Sequence, residues 1–95
     1  MNGQYNGQTK LEYHKNYKRV ADIIEKSAGD IDHATRLSQK QANAITDEHK
    51  AINRAMAAKD MGHEHVFDVF FHRAYELGSV NKQAYREYKL SKLGI

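Results

Sequence analysis

Residues 62–78 read GHEHVFDVFFHRAYELG and hold three of the six histidines and all three phenylalanines of the 95-residue chain. On a helix, His65, Asp68, His72 and Glu76 fall at i, i+3, i+7 and i+11, which is one edge. Imidazole and carboxylate groups one turn apart can close on a divalent cation, and Glu48 or His49 would be the natural additional ligands. The stronger metal signatures are missing. There is no H-E-x-x-H and no pair of Glu-x-x-His segments. His63-Glu64-His65 is only an alternating triplet at a helix start. The expectation is therefore a solvated edge with favourable histidine–carboxylate pairs, with no metal site and no cofactor.

A second use of histidine is proton sensing, because its charge changes near neutrality. His49 lies between Ile45 and Ile52 in an apolar stripe. Protonation there would charge an interface, whereas a neutral, hydrogen-bonded imidazole would be the ordinary outcome. Nucleophilic catalysis has little to stand on. The chain has no cysteine, no G-x-S-x-G and no phosphate loop. A short helical chain without a sequestered pocket is expected to be no enzyme.

These groups need helices to position them. The chain has no proline, and four of its six glycines punctuate otherwise periodic stretches. The expected fold is all-α, a small bundle of about four helices with one long central helix over about 31–60. Residues 1–8, with the near-repeat NGQY and NGQT, are expected to form a flexible arm ahead of a single helical domain, 9–95. Thr9 and Glu12 match a capping box, opening a first helix that runs to about Ala28. Its apolar stripe is Tyr13, Tyr17, Val20 and Ile24, with Gly29 as the closing residue. The long helix carries Ile31, Thr35, Ser38, Ala42, Ile45, His49, Ile52 and Met56 in alternating steps of four and three. Beside this stripe run Ala44, Ala51, Ala55 and Ala58, small enough for close helix approach. At 1.5 Å per residue such a rod spans roughly 45 Å, more than a chain of this size can cover. The surplus predicts a homo-oligomer with Ile45, His49, Ile52 and Met56 in its interface. The third helix, about His63 to Leu77, is apolar over most of its circumference and so central. The fourth starts at Asn81, with Val80 and Tyr85 spaced for a hydrophobic staple, and turns Ala84, Tyr85, Tyr88 and Leu93 inward.

Charge narrows the function. Net charge is +3, mean hydropathy is −0.84, and no apolar run approaches transmembrane length. A cytoplasmic protein with no membrane contact fits an N-terminus lacking an apolar core and a chain lacking cysteine. Residues 61–78 carry Glu64, Asp68 and Glu76 against Arg73, net −2, while 79–95 carry Lys82, Arg86, Lys89 and Lys92 against Glu87, net +3. Lys82, Arg86 and Lys89 form a basic ridge beside Tyr85 and Tyr88. These five are the expected binding residues. The partner is expected to be a protein, since a net +3 attracts a polyanion weakly. The alternative is nucleic acid, read through a partial helix-turn-helix outline at 66–93. Arg73 and Ser79 depart from that outline, standing where apolar residues belong. In compositional type the chain resembles small phage-encoded proteins that bind a host target, which implies a regulatory, non-catalytic role.

Overall fold

The computed structural model describes residues 9–94. The expected arm at 1–8 lies outside them. Among the described residues there are five helices and no strand: α1 (Lys10–Ser27), α2 (Ile31–Ala44), α3 (Glu48–Asp60), α4 (Glu64–Leu77) and α5 (Lys82–Lys92). The fold is all-α, and none of the described helices is long and apolar enough to cross a membrane.

Each helix opens on a side chain that accepts an otherwise orphaned backbone N–H. Thr9 and Glu12 form the reciprocal capping box that their spacing predicts. Asp30 accepts from His33 N–H, Asp47 from His49 and Lys50, and Asn81 from Ala84. His63, one of the three clustered histidines, caps α4 by accepting from Val66 N–H through Nδ1. Gly78 closes α4 at φ 101°. At the end of α1 the expected Gly29 is left-handed (φ 87°), and so is the C-cap residue before it, Ala28 (φ 50°).

The long helix is where expectation and structure part. It breaks at Ile45-Thr46-Asp47, and α2 and α3 each pack separately against α1 and α4. The molecule measures 32 × 31 × 26 Å, too short for a 45 Å rod. No glycine or proline forces the break. Continuing the helix through two β-branched residues would have cost under about 1 kcal/mol. Breaking it buries Ile45, which is 4% exposed, a gain of about 1.5–3 kcal/mol. It also turns Ala51, Ala55, Ala57 and Ala58 into the core. Arg73 of α4 then donates through Nε and Nη2 to the Ile45 carbonyl at 3.1 and 2.8 Å. That carbonyl lies at the C-cap of α2, among the acceptors a helix end leaves unpaired.

The α3–α4 interface is the most extensive in the fold. Alanine on α3 lets Val66, Phe67, Phe70 and Ala74 of α4 come close, and Phe70 is fully buried. The α1 face is turned relative to the expected stripe. Asn16, Val20, Ile23 and Ser27 are buried, whereas Tyr17 is 42% exposed and Ile24 only half-buried. On α2 the expected Ser38 and Ala42 are buried, joined by Ala34, while Ile31 is half exposed. Ser38 satisfies its hydroxyl on the Ala34 carbonyl at 2.7 Å.

Candidate functional site

Chemistry-bearing side chains concentrate on the edge of α4 and on α5 lying against it. α5 buries no residue fully. It is held through two tyrosines. Tyr85 stacks flat on Tyr75, with centroids 4.2 Å apart and planes at 4°, and its hydroxyl meets His72 Nδ1. Tyr88 sets its ring edge-on to Phe67 and Phe71, at 5.4 and 4.8 Å. The Tyr88 hydroxyl donates to Asp68, and Lys92 donates to the other oxygen of the same carboxylate. Lys92 also pairs with Glu64 at 3.4 Å.

This accounts for most of the polar edge picked out in the sequence. Asp68 takes Tyr88 and Lys92, His72 takes Tyr85 with Glu76 at 3.4 Å, and Glu76 also meets Arg73. His65 is exposed. Among the described residues no three histidine or carboxylate groups converge as ligands to one cation would. The edge is the seat of α5. Burial and the Asp68 carboxylate push the Tyr88 phenol well above its ordinary range, because both disfavour phenolate. The hydrogen bond to Asp68 likewise raises Lys92 by favouring its ammonium form.

Of the five expected binding residues, Tyr85 and Tyr88 face α4 and are half-buried, while Lys82, Arg86 and Lys89 are exposed. Lys89 leans over the Tyr85 ring at 5.4 Å. Sequence reasoning missed the apolar partners of these cations. Leu90 is 42% and Leu93 72% exposed, so Leu93 does not face inward as expected, and Ala84 is exposed as well. Lys82, Arg86 and Leu90 follow at steps of four, and Leu93 lies one turn beyond Leu90, so all four share the outer face. The signal available in sequence was this spacing, opposite the tyrosines.

The residues expected at an oligomer interface lie on both sides of the break. Ile45 belongs to the chain's own core, and Ile52 and Met56 are half-buried against that core. The His49 side chain is 80% exposed, with Glu48 at 3.8 Å. Protonation of His49 therefore places no charge inside the chain. Arg73, which departed from the helix-turn-helix outline, is spent on the α2 terminus. Comparison with protein-family models, with curated proteins and with solved structures finds no match to this chain.

Proposed function

We propose that this chain is a small, non-catalytic regulatory protein that docks on another protein through the outer face of α5. The observation that carries the reading is the exposed pairing of Leu90 and Leu93 with Lys82 and Arg86 on a helix whose inner face is already occupied. Leucines between cations suit a partner with an apolar pocket in an acidic surround. The leucines supply desolvation, and the cations supply orientation and association rate. A nucleic acid rewards lysine and arginine but not leucine. The aromatic rings that would stack on bases are turned toward α4. A cytoplasmic place of action belongs to the same reading, supported by a chain without cysteine.

The test compares partner capture from native cells by the wild-type chain and by Leu90→Asp with Leu93→Asp, alongside duplex and single-strand binding at two salt concentrations. The expected result is a protein retained by the wild type and lost from the double variant. Tight nucleic-acid binding at physiological salt, lost on Lys82→Glu with Arg86→Glu and falling steeply with salt, would replace this reading with the nucleic-acid one.

A further inference from the structure

Away from α5, a groove of about 1060 Å³ runs between α1 and α3. Its chemistry centres on Arg54, which is only 9% exposed. A buried guanidinium ordinarily has a carboxylate partner. Arg54 has none among the described residues. It is held instead by two neutral oxygens, Nε donating to Asn16 Oδ1 and Nη1 to Gln41 Oε1, both at 3.2 Å. The Phe70 ring braces it from 5.8 Å. Asn16 is itself buried, so the α1 face gives up an apolar position to hold this cation. Desolvation first, and the neighbouring charge of Arg19 second, pull the guanidinium down to about 10. An anion seated beside it would offset the repulsion from Arg19 and favour the charged form against the cost of burial.

The surroundings add charge of the same sign. Lys15, Lys18, Arg19 and Lys50 line the groove and are exposed, and none of them makes an ion pair among the described residues. Against these five cations stand Glu12, Asp22 and Asp47, leaving the groove at net +2 with His49 neutral. That balance suits one phosphate, which carries about −1.5 to −2 near neutrality. The three carboxylates oppose a long polyanion, which would have to cross them. With Nε and Nη1 bonded to Asn16 and Gln41, the Nη2 end of the guanidinium carries no hydrogen bond among the described residues, and such charged N–H donors suit a phosphate oxygen.

We propose that the α1–α3 groove binds a single phosphate group, free or as the ester of a small molecule, with Arg54 as the fixed donor and Arg19, Lys15 and Lys50 closing on it. The site is separate from the α5 face and stands or falls without it. The test follows the Arg54 Nε–H resonance of labelled full-length protein during titration with inorganic phosphate, adenosine monophosphate and duplex DNA, at ionic strength held constant with chloride. A saturable shift with a dissociation constant of about 1 mM or tighter is expected for phosphate or the nucleotide. Whichever binds more tightly identifies the free or the esterified source. Arg19→Gln, on an exposed side chain, should weaken binding about tenfold, while thermal stability in phosphate-free buffer is kept or slightly raised because the repulsion on Arg54 is relieved. Arg54→Lys should weaken it further. The proposal is overturned by a response no larger than chloride gives, by binding indifferent to Arg19→Gln, or by duplex binding without any response to phosphate.

Discussion

Tyr88 decides whether α5 stays on the bundle, and its truncation separates local from global stability. Removing the hydroxyl alone, in Tyr88→Phe, takes a hydrogen bond from the Asp68 carboxylate. Bonds to charged groups contribute about 1.5–3 kcal/mol, and the half-buried position argues for the lower figure. Tyr88→Ala also removes the edge-on contacts to Phe67 and Phe71, each worth about 0.5–1.5 kcal/mol beyond area. The total for alanine is about 3 kcal/mol. At 1.4 kcal/mol per decade, the opened population of α5 rises about tenfold in the phenylalanine variant and roughly a hundredfold in alanine. α5 buries no residue fully, so this loss should stay local. Native-state hydrogen exchange reads both levels in one sample. Amides of residues 86–92 should lose protection by those factors, while Ala55 and Phe70 on the α3–α4 interface keep theirs. Equal loss at Ala55 and Phe70 would refute the reasoning, because α5 would then be part of the cooperative core and not an attached arm.

Four further outcomes follow from the same geometry. Arg73→Ala leaves the Ile45 carbonyl without its charged donor, and urea denaturation should show a loss of about 2 kcal/mol. Ala28→Gly relieves a left-handed alanine at φ 50° and should raise stability by about 0.5–1 kcal/mol in the same assay. The Tyr88 phenol is raised above its ordinary 10 by burial and Asp68, so the folded state holds that proton more tightly than the unfolded one. The resulting stability is complete below about pH 10 and is lost as pH rises toward the higher folded value. Protection of α5 should accordingly fall in that alkaline range, and Tyr88→Phe should flatten the fall. Sedimentation equilibrium should give a mass near 10.9 kDa, since Ile45 is internal. Twice that mass, abolished by Ile52→Asp, would restore helix pairing through Ile52 and Met56.

What the sequence discloses is mostly local. Thr9 with Glu12, Asn81 and the glycine after Leu77 mark helix ends by side-chain chemistry that acts within one turn, and these ends stand where expected. The apolar circumference of α4 likewise identifies the central helix. The break at Ile45-Thr46-Asp47 is not local. It depends on alanines of α3 meeting α4 and on Arg73 reaching the Ile45 carbonyl from 28 residues away. Asp47 followed by Glu48 was a legible start signal, but the uninterrupted heptad rhythm outweighed it. The turned face of α1 has a similar cause. Hydropathy selects Tyr17 and Ile24, whereas the buried positions are Asn16 and Ile23, because Asn16 holds Arg54 across the α1–α3 contact.

The same contrast explains why the chemically suggestive stretch and the uncompensated chemistry lie apart. Within residues 62–78 each conspicuous group except His65 has a partner that satisfies it. His63 caps a helix, Asp68 holds Tyr88 and Lys92, and His72 holds Tyr85. Satisfied groups stabilise one arrangement and leave little to offer a ligand. Arg54 is inconspicuous in sequence, one of three lysine or arginine cations in an alanine-rich helix. It is nonetheless the position where a buried charge faces a like charge and only neutral oxygens. Desolvation is costly, and a groove lined by further cations lies beside it. The search for function in this chain therefore belongs with the groups whose electrostatics the fold leaves unbalanced. Those are the α1–α3 groove and the exposed leucines of α5, not the histidine edge.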